Sequence, residues 1–580
     1  MKSIDHIKII TFGVKSFFIL LLLLSLISLS VLWYYSYEEF TSLLLKLYGK
    51  SEKIAEFRSE FLTVTRFVFL KYTLALLSVL LFFCIMKLRT ISEFFSAKII
   101  SVLNSVKLFL NYLLEPYRKL EAYKKISFWI MIAFIGIVKL FFLNRFPFHV
   151  DELSSYLFIV KKGFFVTISY YPSPNNHIFY SLITSLVQPL FSDPYYLMKV
   201  PSFIFSILTS IILFFFLLRN FNFSSSILGT LLFSFMTSYF FYSISGRGYA
   251  LMTSFTIVTT FMTMEIISGR NEKFLWHIYA LCTILGFYTL VIFLYPFVTL
   301  SLVIAGYIIY ERKYELIKTF IYYNLLIIAG VLLLYMPVFL ISGISSITSN
   351  PWMIKLDWQI YFSLLPKFIK GAFEFILGID KFALAIGVII IISGLLVLLI
   401  EKKKTWFWLL VSFFIVPLIL LTIQRLQPYN RVWCYLIFPT SLCLIFVWDY
   451  LVSFFSKIKY AQVFLTSVFA LIIIGYTINY FYEMTAHGFI MYDNVDRITK
   501  YIVSENNVKV YTNDDSYNLF LRYHSSQIGK NVVPEMNTLP ENKNFNYVLL
   551  TKNASFPATI NEADYKLKEQ DDFIRVYKHK

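Results

Sequence analysis

Cysteine is nearly absent: four in 580 residues, Cys84, Cys282, Cys434 and Cys443, each inside an apolar run. That leaves no disulfide framework, and the four read as small buried hydrophobes. No Gly-rich Walker loop occurs, so there is no visible motor for ATP-driven transport. No set of histidine, cysteine and carboxylate residues has structural-metal spacing. The sequence therefore assigns no metal ligand and requires no cofactor, and whether a divalent cation takes part stays open. Internal repeats and low-complexity tracts are missing as well. Acid is short relative to base, 34 residues against 52, which leaves a formal net charge of +18.

What the chain has in excess is apolar side chain. It is 58% hydrophobic and 20% aromatic with a mean hydropathy of +0.69, whereas soluble domains hold about 45–50% apolar residues. A polytopic membrane protein follows. Apolar runs lie near 16–35, 66–87, 127–144, 195–218, 224–243, 248–268, 289–309, 318–341, 380–400, 406–423, 431–451 and 461–481. A shorter stretch at 274–288 adds a further span with a break, for about thirteen crossings. The first run ends in Trp33-Tyr34-Tyr35 with no small-residue cleavage site, so it reads as a retained anchor.

The basic residues sit in alternate loops: Lys87 to Lys125, Arg219, Arg270 and Lys273, Arg312 to Lys318, Lys402 to Lys404, and Lys457 with Lys459. This is the positive-inside pattern, which accounts for the net charge without nucleic acid and assigns those loops to the cytoplasm. The other, extracytoplasmic face then receives Asp151-Glu152, Ser245 to Gly248, the 342–379 loop, Gln424 to Asn430 and the C-terminal region. Three parts are expected. Residues 1–126 form a two-span module with a basic amphipathic helix on the cytoplasmic leaflet, broken at Pro116. Residues 127–482 form the main transmembrane body, in which 152–194 makes one or two short interfacial helices. Residues 483–580 form a small extracytoplasmic α/β domain, with strands at 508–512, 547–551 and 573–577 and a helix near 516–523.

Four outer-face segments carry candidate chemistry. In Phe146-Pro147-Phe148-His149-Val150-Asp151-Glu152, two carboxylates follow a span. Ionisable groups there are expensive to desolvate and are usually kept for a function. One could act as a general base and the other orient it or bind substrate; the plainer alternative is an acidic first turn on a helix. His149 is either a phosphate contact or merely interfacial. Tyr170 to His177 (Tyr-Tyr-Pro-Ser-Pro-Asn-Asn-His) offers Asn175, Asn176 and His177 for a sugar or phosphate, or else a helix cap.

In Ser245-Gly246-Arg247-Gly248-Tyr249, flanking glycines would let the backbone approach a ligand while Arg247 supplies a planar fork. The alternative is a tight turn with a snorkelling arginine. In Gln424 to Arg431, Arg425 and Arg431 run against the positive-inside bias, which favours an anionic ligand. The 342–379 loop, with Trp352, Lys355, Asp357 and Trp358, either closes over a lipid-linked substrate or packs at the interface. Asn513-Asp514-Asp515 follows a strand, in a domain too small for a nucleotide-sugar fold.

Together these segments resemble the GT-C superfamily of integral-membrane glycosyltransferases, nearest the protein mannosyltransferase and aminoarabinose transferase-like group (glycosyltransferase families 39 and 83). The matching pieces are His149-Val150-Asp151-Glu152, Pro174-Asn175-Asn176-His177, Gly246-Arg247-Gly248-Tyr249-Ala250-Leu251 and Pro428-Tyr429-Asn430-Arg431, within roughly 127–450. The N-terminal two-span module departs from that pattern.

The resemblance implies a GT-C-like fold and a sugar donor on a polyprenyl phosphate. It implies inverting transfer, at the extracytoplasmic face, to a lipid, glycan or protein acceptor. Asp151 would be the general base and Glu152 its helper. His177, Arg247, Arg431 and Tyr249 would bind the donor phosphate, and His149, Asn175, Asn176, Tyr429 and Asn430 would line the substrate site. The expected home is a bacterial inner membrane with the site and C-terminus periplasmic. Two other classes share parts of this pattern: a lipid-linked glycan polymerase or ligase, and a lipid-glycan transporter or flippase.

Overall fold

A computed structural model describes residues 2–47, 54, 57–348, 354–454, 461–485, 490–505, 508–528, 545–557 and 560–580; Trp352, Lys457 and Lys459 lie outside them. Among the described residues, twelve helices are long and apolar enough to cross a membrane, and thirteen if one bent pair is a single span. The protein is thus an all-α polytopic body with a small sheet region near the C-terminus. The bent pair is Phe223–Phe235 and Thr237–Ile244, which meet at 67°. No proline makes that bend; Met236 takes an extended backbone between them.

Several elements differ from expectation. Leu88–Arg118 is one helix of 31 residues, and Pro116 lies inside it. A proline in the last turn removes a single backbone donor, so the helix runs on to Arg118 before it stops. By length and composition this helix also qualifies as a span. Over Ser105 to Glu115, however, it touches groups near the ends of body helices. Ser105 Oγ is 2.7 Å from His277 Nδ1, and the Arg219 and Arg270 guanidinium groups cover the Tyr112 ring at 3.4 and 4.5 Å.

The 274–288 stretch is the unbroken helix Lys273–Thr289, and the separate 289–309 run gives Leu294–Tyr310; the two are joined through extended Leu290 and a short turn. The segment after Asp151 holds three short α-helices: Val150–Phe158, Phe164–Ser169 and Ile178–Val187. Gly163 joins the first two at φ +90°, a conformation few other residues adopt. The 342–379 loop is mostly the helix Trp358–Leu377. Leu356 N–H donates to Arg425 O at 2.9 Å, and the Arg425 guanidinium lies over Trp358 at 4.8 Å.

The C-terminal region has strands β1 (Val510–Thr512), β2 (Tyr547–Thr551), β3 (Tyr565–Gln570) and β4 (Ile574–His579) in the order β1-β2-β4-β3. β1 and β2 are parallel, joined through the helix Asp515–Gln527; the other pairs are antiparallel. β3 was not expected, because it is a polar edge strand with three exposed residues in succession. The helix Ile490–Ser504 was missed as well.

These two C-terminal helices bring Val495, Ile498, Phe520 and Leu521 into one core with Phe148, Leu153 and Tyr156. Full burial of a leucine stabilises by about 2 kcal/mol, so the region is packed firmly onto Val150–Phe158.

Candidate functional site

Val150–Phe158 begins where His149 adopts an extended backbone and caps it. His149 Nδ1 accepts the Asp151 N–H at 3.2 Å, and Glu152 Oε2 accepts the His149 N–H at 2.8 Å. This reciprocal cap satisfies two donors that a helix start leaves orphaned. Glu152 does more. It is 1% exposed, and its Oε1 accepts the Gly246 N–H. One carboxylate thus clamps the acidic helix to the Gly246-Arg247-Gly248 turn. Lys199 adds a further anchor, donating to Phe146 O at 2.8 Å and Pro147 O at 3.0 Å.

Arg247 is also buried. Its Nη1 donates to Ser155 Oγ at 3.1 Å, Asp151 O at 3.3 Å and Asn175 O at 3.4 Å. Its Nη2 lies 3.1 Å from His177 Nε2 and 3.9 Å from Asp151 Oδ2. The fork therefore ties the acidic helix to the Asn175–His177 segment. The two glycines have a different cause from the one expected. A Cβ at Gly246 would come within 2.8 Å of Met198 O, and one at Gly248 within 3.0 Å of His177 Cβ. They permit close packing of the chain on itself. Gly248 N–H donates to His177 Nδ1 at 2.8 Å.

In front of this assembly lies a cavity of about 590 Å³. Of the residues singled out from sequence, Asp151, Asn175, Tyr249, Tyr429 and Arg431 line it. Arg431 Nη1 donates to Asp151 Oδ2 at 2.7 Å and the guanidinium sits 4.9 Å from the Tyr429 ring. Glu152, Arg247 and His177 stand behind the wall. Asn176 is buried in backbone contacts, its Nδ2 donating to Thr167 O and Tyr170 O. Asn430 is exposed and faces Gly371, and His149 rests against Tyr492 with ring centroids 5.3 Å apart. Among the described residues no group of three or more histidine, cysteine or carboxylate side chains is arranged to hold a metal ion.

Burial alone would raise the Asp151 carboxyl, but Arg247, Arg431 and His149 outweigh it and hold it below the ordinary aspartate range. Burial pushes the His149 imidazole down, more than the neighbouring Asp151 and Glu152 raise it. Burial, reinforced by Arg247 and Arg431, drives His177 well below the usual value. A depressed histidine stabilises the fold fully above its unfolded value of about 6.5, and that stability is lost as pH falls toward the folded value. We expect the melting temperature to fall on acidification below about pH 6.5, with a shallower slope in His177→Asn, measured by thermal denaturation in detergent. An equal slope in both proteins would remove His177 as the cause.

Several contributors escaped the sequence reading. Ser155 takes the Arg247 fork, Lys199 fixes the loop before His149, and Tyr492 and Asn518 come from the C-terminal region; Asp515, noted in the sequence only as part of an acidic triplet after a strand, also lines the cavity. Lys199 carried a usable signal, a lysine within the apolar run at 195–218. Ser155 and Tyr492 carried none.

No family model matches the chain, and no curated protein matches it. Two solved structures of ArnT from Cupriavidus metallidurans are similar. The apo form has a TM-score of 0.49 at 11% identity, covering 78% of this chain and 98% of that one. The form bound to undecaprenyl phosphate has a TM-score of 0.52 at 11% identity, covering 79% and 98%. At that identity the likeness concerns architecture alone: the chain has an ArnT-like membrane fold.

Proposed function

We propose that the protein is a membrane glycosyltransferase that moves a sugar from a polyprenyl-phosphate donor to a lipid, glycan or protein acceptor. The observation that carries this reading is the Asp151–Arg431 contact on the wall of a cavity in an ArnT-like fold. The similar ArnT structure holds undecaprenyl phosphate, and we infer a lipid of that class for this chain. The positive-inside pattern supports a site at the extracytoplasmic face, periplasmic if the membrane is a bacterial inner membrane. The body at 127–482 would hold the reacting groups, with 1–126 as an appended part and 483–580 adding Asp515, Asn518 and Leu519 to the cavity wall.

In the mechanism, the donor phosphate engages Arg431 and relieves its hold on Asp151 Oδ2. Asp151, acting as general base, then takes the acceptor proton. The acceptor oxygen forms its bond to the anomeric carbon as the bond from that carbon to the phosphate oxygen breaks, with inversion. Polyprenyl phosphate leaves with the bonding pair, its charge met by Arg431, and Asp151 returns the proton to water. Arg247 and His177 act behind the wall as positioning residues, and Glu152 fixes the helix that carries Asp151. Tyr249 and Tyr429 shape the walls around the phosphate.

Purified protein in proteoliposomes with polyprenyl-phosphate sugars and envelope extracts tests this. Mass spectrometry is expected to show released polyprenyl phosphate and a sugar-bearing product. Movement of the lipid-linked sugar across the bilayer without product would overturn the reading in favour of a transporter. Arg431→Ala is expected to weaken undecaprenyl phosphate binding about tenfold or more, the loss of a charged hydrogen bond; unchanged affinity would remove Arg431 from the phosphate site.

A further inference from the structure

The Asn513-Asp514-Asp515 turn divides its labour residue by residue. Asn513 pairs with β2, donating to Thr551 Oγ1 at 3.1 Å and accepting the Thr551 N–H at 3.0 Å. Asp514 caps the helix Asp515–Gln527, its Oδ1 accepting the Ser516 N–H at 2.7 Å. Asp515 is left over from both tasks. Its side chain is exposed, forms no ion pair among the described residues, and lines the cavity with Asn518 and Leu519 on the same helix. That helix cannot shift freely, because Tyr517, Phe520 and Leu521 are fully buried in the core shared with Leu153 and Tyr156.

We propose that Asp515 is a substrate-binding residue that recognises the sugar of the lipid-linked donor by accepting hydrogen bonds from its hydroxyl or amino groups. This rests on the functional reading above and names the sugar-facing edge of that site. The charged residues on the described cavity wall are Asp151, Arg431 and Asp515. A phosphate goes to the guanidinium and is repelled by a carboxylate, so the Asp515 edge takes the part of the ligand that carries donors. An ionised carboxylate is acceptor-only. Asn175, another wall residue, adds a second acceptor, since its Oδ1 is buried without a hydrogen-bond partner. An apolar flank of Leu290, Val291, Ile292 and Leu294 suits the lipid chain. Tail, phosphate and sugar thus each meet matching chemistry.

The test compares two probes on the full-length protein in detergent: undecaprenyl phosphate, and undecaprenyl phosphate carrying a hexose or an amino sugar. The wild-type protein is expected to prefer a sugar-bearing lipid. Asp515→Ala is expected to erase about tenfold of that preference, the value of one hydrogen bond to a charged group, with bare lipid phosphate binding unchanged. Retained bare-lipid binding also shows that the variant is folded. Asp515→Glu should restore part of the preference. An unchanged preference in Asp515→Ala, an equal loss for both probes, or no wild-type preference overturns the assignment. Failure of the wild-type protein to bind either lipid overturns the functional reading, and this inference with it.

Discussion

Asp151→Asn should lower sugar transfer by about a thousandfold, within the 10²–10⁴ range for loss of a general base. The substitution keeps the size of the side chain and an oxygen that can still accept from Arg431 Nη1, now at 2.7 Å from Asp151 Oδ2. What disappears is the capacity to take a proton. A mere partner for Arg431 would be replaced by asparagine with a loss of less than about tenfold, so the size of the effect separates the two roles. Release of polyprenyl phosphate is the rate to follow. The fold should survive, since both side chains stay about one-third open to solvent and asparagine keeps an oxygen facing Arg431.

The acid side provides a second readout. With its folded-state pKa depressed, Asp151 contributes stability above the unfolded value of about 3.9, and that contribution is lost as pH falls through the folded value. The asparagine variant should lack this increment of acid unfolding.

The larger structural effect is expected at Glu152. Its two oxygens each take one backbone N–H, from His149 and from Gly246. Glutamine can accept at only one of those places and presents an N–H donor at the other. Glu152→Ala leaves two backbone donors without a partner, at about 1–3 kcal/mol each. We expect both variants to melt at lower temperature and to lose transfer, with alanine worse. Normal melting of Glu152→Gln combined with lost activity would instead indicate a direct role in chemistry. A position chosen from sequence as helper to the base therefore makes its strongest prediction as a structural clamp.

Much of the architecture was readable because a bilayer imposes long apolar runs, and the helices fall where those runs lie. The convergence of Asp151, His177, Arg247 and Arg431 was also anticipated as a group. Their division into wall and support was not, since side chains at similar chain positions differ only in which way packing turns them. Glycines 246 and 248 looked suited to a ligand, yet they meet Met198 and His177. Pro116 looked like a break, yet a proline in the last turn interrupts little. β3 was hidden by its polarity; the acidic triplet holding Asp515 was visible, but its place on the cavity wall was not, because it lies far in sequence from the other wall residues.

The sequence separations in the site set an order of assembly. Glu152 meets Gly246 across 94 residues, Asp151 meets Arg431 across 280, and His149 meets Tyr492 across 343. At a synthesis rate of 5–20 residues per second, the Asp151 carboxylate waits roughly 15 to 55 s for its guanidinium. During that interval Glu152 and Arg247 can already hold the acidic helix in register. The partners of the buried clamp are thus all synthesised well before Arg431, and the cavity is complete only when the C-terminal helices have been made.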